Sequence, residues 1–365
     1  MRRIARVLPG LLLALLLWPA QGVAQEARPL EDADFAAANV SIVKSLILPL
    51  HEQFAQMAAA NVAATNAYCT AEVRDFERVA NAWRELMLTW QKVRFFALGP
   101  MMEGFGPNRF QYWPDKRGTG KRQLRQVLAG QPPALTDSAE LADQSVALTD
   151  LQALEAVLFG GEPPQPGGYR CGYALAIANR QSTLARELEQ AWSDPERGFA
   201  GEIEAAAQGT DLYYDAREAT AEIFTAMAEN LDSIVVDKLE APMGRTLAEA
   251  RPAAAENDLS GLSFADIRAS LSILHAIYTT PLGFADMLVI TGNKALSQGI
   301  EREIDILMEM VQAFEMPLSR AVTDPGQRPA LDRFLAGVKG VRLIFHSTVA
   351  RELDFGLGFN ASDGD

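Results

Sequence analysis

Histidine and cysteine are scarce in this chain, and their scarcity narrows its chemistry. The 365 residues include three histidines, His51, His275 and His346, and two cysteines, Cys69 and Cys171. There is no His-Glu-x-x-His run, so the usual helical layout of a zinc peptidase is missing. The cysteines lack the clustered spacing of a zinc site. In an oxidising compartment they permit one disulfide, and the sequence leaves open whether they meet. No Gly-x-Ser-x-Gly elbow and no phosphate-cradling glycine loop occurs, which removes the main marks of a nucleophilic hydrolase or a nucleotide site. Basic residues are also short in supply: 33 Lys and Arg face 47 Asp and Glu, a net charge of −14. A surface this acidic repels phosphate backbones and excludes nucleic acid as a natural partner. It favours cations, or simply keeps the protein soluble. Strand signals are missing as well, with no sustained alternation and no Asn-Gly hairpin series.

What is present begins with "MRRIARVLPGLLLALLLWPAQGVAQ". Arg2, Arg3 and Arg6 precede a short apolar run from Leu11 to Trp18, and Gly22 and Ala24 supply small residues for cleavage. This is the pattern of a secretory signal peptide over residues 1–24, with an uncleaved N-terminal anchor as the alternative. An exported, periplasmic protein is the expectation, possessing no transmembrane segment once the signal is removed, because no later stretch reads as apolar enough to span. Cleavage takes the net charge from −14 to −17.

Helical periodicity dominates the rest. Val73, Phe76, Val79, Trp83, Leu86, Trp90 and Val93 fall at steps of three and four, and Gly99-Pro100 ends their helix. Ile300, Ile304, Leu307, Val311 and Phe314 form a second stripe. Phe334, Leu335, Val338, Val341, Phe345 and Val349 form a third. Further helices are expected near 36–66, 137–159, 171–193, 211–239 and 263–279. The fold class is all-α. Turn-rich stretches at 160–172, 192–211 and 239–261 divide the chain. Two helical bundles are expected, over 25–195 and 210–365, the second with a docked C-terminal tail.

Four places draw attention as chemistry. His51 lies beside Leu46, Leu50 and Phe54 and reads best as a hydrogen-bonded structural histidine. "TDLQALEAVLFGG" (149–161) sets Gln152 and Glu155 one helical turn apart, beside the stripe of Leu148, Leu151, Leu154 and Leu158. A carboxylate with an amide is able to hold a hard cation or organise water; a solvated helix edge is the plainer reading. "RFFALGPMMEGFGPNRFQYWPDKRG" (94–118) crowds Arg94, Arg109, Trp113, Asp115 and Arg117 into a long loop. Such loops are uncommon without a purpose, although an aromatic plug over a bundle end would also explain it. "RELDFGLGFNASDGD" ends the chain with Phe355, Leu357 and Phe359 among glycines, then Asp363 and Asp365, an acidic end that a cation could use or that water simply solvates.

Taken in order, the three segments "GPMMEGFGPNRFQYWPDKRG", "DLQALEAVLFGG" and "LGFNASDGD" resemble the Gly-Pro to Trp-Pro loop, the Gly-x-His-x-x-Glu segment and the closing signature of the imelysin family. These are periplasmic and outer-membrane-associated helical proteins once classed as metallopeptidases. The resemblance covers nearly the whole mature chain. It implies two helical bundles related by an ancient duplication, a site between them, and a link to iron uptake; peptidase activity has been attributed to some members and disputed for others. At the motif Asp150 stands where the family has glycine and Gln152 where it has histidine, and only Glu155 matches. Gln152 cannot titrate near neutral pH as imidazole does, and it removes the best nitrogen ligand for a transition metal.

The resemblance therefore implies a ligand-binding cleft of Gln152, Glu155, Arg94, Trp113 and Asp115, with Glu155 as the candidate metal ligand for iron or another divalent cation. It points to a non-enzymatic binding or accessory protein in iron acquisition, with iron-transport components as partners. A metallopeptidase of the imelysin type and a periplasmic scaffold binding a peptide or small ligand are the alternatives.

Overall fold

The computed structural model describes residues 27–70, 75–102 and 106–355. The signal-peptide reading of residues 1–24, and the expectations for Leu357, Phe359, Asp363 and Asp365, lie outside the described residues. Within them the chain is helical with no strand. The principal helices are α1 (Asp32–Cys69), α2 (Phe76–Val93), α3 (Thr119–Gly130), α4 (Leu151–Phe159), α5 (Tyr169–Ser193), α6 (Ala216–Ser233), α7 (Ser263–Thr279), α8 (Lys294–Gln312) and α9 (Arg328–Leu343).

The apolar stripes do what their spacing predicts. Trp83, Leu86, Trp90 and Val93 of α2 are buried, as are Ile300, Ile304, Leu307 and Val311 of α8. The later part of α1 packs against α2 and α5, and α4 lies on α5. In the other part of the chain α7 packs on α8, and α8 on α9. Among the contacts that tie these groups together, α2 packs on α7, and the first turns of α1 lie on α6. There Asn39 donates to the Ala216 carbonyl at 2.9 Å and accepts from the Thr220 hydroxyl at 2.7 Å. One continuous apolar core results, from Phe35 to Phe355. Phe355, expected to dock, does so: it is buried against the rings of Phe35, Phe224 and Phe284.

Two helices, Asp32–Cys69 and Ser263–Ile290, are long and apolar enough to cross a membrane by composition alone. That differs from the sequence reading, and the reason is their use. Phe35, Ile42 and Phe54 of the first, and Ile267, Leu271 and Leu274 of the second, are core residues.

The helix expected over 137–159 is shorter than its periodicity. Residues Glu140–Asp143 and Val146–Leu148 form separate 3-10 turns, and the α-helix starts at Leu151. Polar side chains compete for the backbone here: Asp137 accepts from the Ala139 amide, and Asp150 caps α4 by accepting from the Ala153 amide at 2.7 Å.

Wide π-turns at Val43–Ile47 and Ile234–Glu240 each come just before a proline, Pro49 and Pro242. Proline lacks the N–H that would close the normal turn, and its ring presses on the carbonyl four residues back. Widening the turn relieves that pressure without ending the helix. The second of these turns carries Lys238 into the interior. Cys69 at the end of α1 and Cys171 at the start of α5 are joined by a disulfide.

Candidate functional site

The site is organised around the start of α4. Asp150 is fully buried and receives the Tyr112 amide as well as that of Ala153. The Leu151 amide donates to the Phe110 carbonyl at 2.8 Å. Together these bonds lay the Trp-Pro loop along the first turn of α4. Burial pushes the Asp150 carboxyl up to about 7, against the pull of the Tyr112 and Ala153 amides and, more weakly, those of Asp150 and Gln152.

One turn later the Gln152–Glu155 pair faces a loop from far along the chain. The Gln152 amide donates to Asn257 Oδ1. Glu155 Oε1 accepts from the Ser260 amide at 2.9 Å and the Ser260 hydroxyl at 2.7 Å. Glu155 is only 3% exposed, so the reading of a solvated helix edge fails for it. Burial raises its carboxyl to about 7; Ser260 opposes this, while Asp258 and Glu256 add to it.

Beneath lies a polar cluster that the sequence did not mark. Glu256, 1% exposed, accepts at Oε1 from Gln111 at 2.9 Å, Gln91 at 3.2 Å and Arg94 at 3.3 Å, and at Oε2 from Lys238. Lys238 also donates to Gln91 Oε1 at 2.8 Å, and its ammonium lies 5.4 Å from the centre of the Trp113 ring. The Trp90 indole donates to Gln111 Oε1 at 2.8 Å. Burial lowers the Lys238 ammonium, an effect that Glu256 only partly offsets. Burial alone would raise Glu256, but Lys238 and Arg94 hold it below the usual carboxylate range. Asp266, which accepts from Asn257 Nδ2 at 2.7 Å, is raised well above that range by burial and by the charge of Glu256.

Above this cluster opens a cavity of about 1240 Å³, lined by Tyr112, Trp113, Asp115, Gln152, Glu155 and Asp258 among others. Four of the five expected cleft residues thus line this one cavity. Asp115 also caps α3, accepting from the Thr119 and Lys121 amides. The fifth, Arg94, lies below the cavity and braces Glu256. Arg109 pairs with Glu187 at 3.7 Å instead. His51 is the buried structural histidine its surroundings predict, with Nδ1 2.7 Å from the Ile47 carbonyl oxygen. Burial lowers it to about 4. Neither His275, beside Asp305, nor His346, beside Asp232, lines the cavity.

The donors around Glu155 do not fit a transition-metal ion. Such ions favour imidazole or thiolate ligands, and structural or catalytic zinc takes at least three protein ligands. Here one oxygen of Glu155 is held by Ser260, and Gln152 offers an amide. Among the described residues no group of three His, Cys, Asp or Glu side chains converges.

Glu256, Lys238, Gln91, Gln111, Asn257, Ser260 and Asp266 were missed because nothing local distinguishes them. The one available signal was "AAAENDLSG", where Asn257 takes a positive φ of 46°. Asparagine tolerates that left-handed turn better than most residues.

A stability test follows from Glu155. Its proton is held more tightly in the fold, at about 7, than at its ordinary value of 4.5. The folded chain therefore binds more protons than the unfolded one between these values, and the stability Glu155 contributes is lost as pH rises through that window. Glu155→Gln cannot ionise. It is expected to be more stable than the parent by about 1–3 kcal/mol at about pH 8, with the difference shrinking towards pH 5. Urea unfolding at the two pH values measures this; an equal or lower stability at pH 8 refutes it.

A family model described as imelysin matches residues 47–341. Among solved structures, an imelysin-like protein from Psychrobacter arcticum 273-4 shares the fold with a TM-score of 0.78 at 14% identity, over 92% of this chain and 100% of its own. A protein from Parabacteroides distasonis ATCC 8503, described as an iron-regulated protein A precursor, gives 0.69 at 15% identity, over 88% and 98%. No curated protein matches the chain.

Proposed function

Because the chain belongs to the imelysin family, we propose that it is a non-enzymatic binding protein, exported to the periplasm, that serves iron acquisition through the cavity above α4. The observation that carries this reading is the state of the motif pair. Gln152 is bonded to Asn257 where a metal-binding imidazole would be wanted, while Glu155 lines a cavity large enough for an organic ligand. The iron link is supported by the description of the Parabacteroides distasonis protein as iron-regulated. Export is supported by the basic, apolar and small residues that open the sequence.

A metallopeptidase needs an activated water and an open metal position. The cluster of Glu256, Lys238 and Arg94 is instead closed upon itself, and its charges are answered within the protein. Deleting the gene from its host is expected to slow growth under chelator-imposed iron limitation and to lower cellular iron, with rescue by the intact chain. Unchanged growth and iron content would overturn the iron role. The purified chain is expected to leave a denatured protein substrate intact. Chelator-sensitive cleavage abolished by Glu155→Ala would replace this reading with the peptidase.

A further inference from the structure

The inner wall of the cavity has an unusual composition of free atoms. Glu155 Oε1 is occupied by Ser260, but Oε2 has no hydrogen-bond partner among the described residues, and the side chain is buried everywhere except where it lines the cavity. Beside it, Gln152 commits one N–H of its amide to Asn257 and has no partner for its carbonyl oxygen among the described residues. Asp258 also lines the cavity, with no protein partner for its carboxylate among the described residues. Asp150 contributes charge only, since the amides of Tyr112 and Ala153 use its oxygens. Around Glu155 the cavity therefore holds three acceptors without a partner among the described residues, Glu155 Oε2, the Gln152 carbonyl oxygen and the Asp258 carboxylate.

The charged donors along the walls are engaged or exposed. Lys116 pairs with Asp237 at 3.7 Å, and the Lys121 amine donates to the Ala253 carbonyl at 2.9 Å. Arg125 and Arg251 are exposed. Acidic side chains outnumber basic ones around the cavity by six to four. An anionic ligand would place its charge against Glu155 and Asp258. A purely apolar one would strip water from a carboxylate oxygen and give nothing back, a costly arrangement. The ligand that answers these atoms carries several N–H donors and a positive charge, on a stem that suits Trp113, Leu124 and Leu128.

We propose that the cavity takes a primary alkylammonium group, seated so that its three N–H donors meet Glu155 Oε2, the Gln152 carbonyl oxygen and Asp258, with its alkyl stem along Trp113. An ammonium has three donors and no acceptor, which matches three unpartnered acceptors in a cavity where acidic side chains predominate. The inference rests on the reading of this cavity as the binding site. It extends that reading by naming the ligand's chemistry, which two sources share: a free diamine and a lysine side chain of a peptide.

The test is calorimetric titration of the full chain at about pH 8, where Glu155 is ionised, with 1,5-diaminopentane, a trilysine peptide, its fully acetylated form, and pentanoate as probes. Saturable binding of an unmodified amine, with no binding of acetylated peptide or pentanoate, is the expected result. Whether diaminopentane or trilysine binds tighter identifies the source. Glu155→Gln is expected to weaken binding at least about tenfold, the loss of a charge-assisted hydrogen bond. Asp258→Asn, which breaks no bond within the fold, is expected to weaken it severalfold. Amine binding unchanged in both variants, or no amine binding at all, overturns the inference. Pentanoate binding alone does the same and reverses the sign of the ligand. Each failure is separable from failure of the functional reading. If amines do not bind but Glu155→Gln fails to rescue iron-limited growth, the site stands and only its ligand class is wrong. If amines bind but gene deletion leaves iron unaffected, the ligand class stands and the iron role falls.

Discussion

Glu256→Gln is expected to destabilise the fold by about 3–5 kcal/mol, the usual cost of removing one partner from a buried ion pair. Glu256 is the common acceptor for Lys238, Arg94, Gln91 and Gln111. Its loss leaves Lys238, 2% exposed, with no anion in contact, and leaves Arg94 without its own partner. Lys238→Met is expected to cost less, about 1–3 kcal/mol, because Arg94 still neutralises Glu256. The ranking separates this arrangement from a simple pair, in which either loss would cost alike. Urea unfolding at neutral pH measures both variants. Equal costs, or a Glu256→Gln loss under about 1 kcal/mol, would show that Glu256 is not the hub.

Removing the Cys69–Cys171 bridge is expected to cost about 4–5 kcal/mol. The two cysteines are 102 positions apart. Closing a loop of that size restricts the unfolded chain strongly, and the chain-entropy estimate for about 100 residues is about 4.7 kcal/mol. The bridge also ties the end of α1 to the start of α5, helices that already pack along their length. Little native contact should therefore be lost with it, and the effect should fall on the unfolded state. The paired substitution of Cys69 and Cys171 by alanine and chemical reduction of the parent are expected to lower the urea midpoint by similar amounts. A loss under about 1 kcal/mol in both would place the stabilisation in helix packing alone.

Much of this architecture was legible because helical cores announce themselves. Trp83, Leu86 and Trp90 recur at the helical period and are buried on the face that period defines. Gln152, Glu155, Trp113 and Asp115 drew attention by spacing and crowding, the resemblance set them together in a cleft, and the fold brings them to one cavity. The acidic partner beneath was not legible. Glu256 sits in "AAAENDLSG", a stretch that reads as a surface excursion, yet it is buried. Sequence patterning registers a charged residue as solvent-facing unless its counter-charge is near in the chain. Here the counter-charges are Lys238, 18 residues away, and Arg94, 162 away. Glu155 illustrates the same limit from the other side. Its neighbour Gln152 suggested a pair acting together, whereas each side chain bonds to a different residue of the distant loop, Asn257 and Ser260.

The contact between Phe35 and Phe355, 6.0 Å between ring centres, joins the first helix to the last described residue. Phe35 belongs to the first helix, and the rings that enclose its neighbourhood, Phe224, Phe284 and Phe355, come progressively later. A chain emerging from its N-terminus exposes that apolar face until nearly all of the described sequence is available. Contacts between residues so far apart slow folding, because the entropy of closure is spent before any contact rewards it. The face of the first helix at Phe35 is thus closed by Phe355, the last described residue, and stays uncovered on that side until that residue has been made.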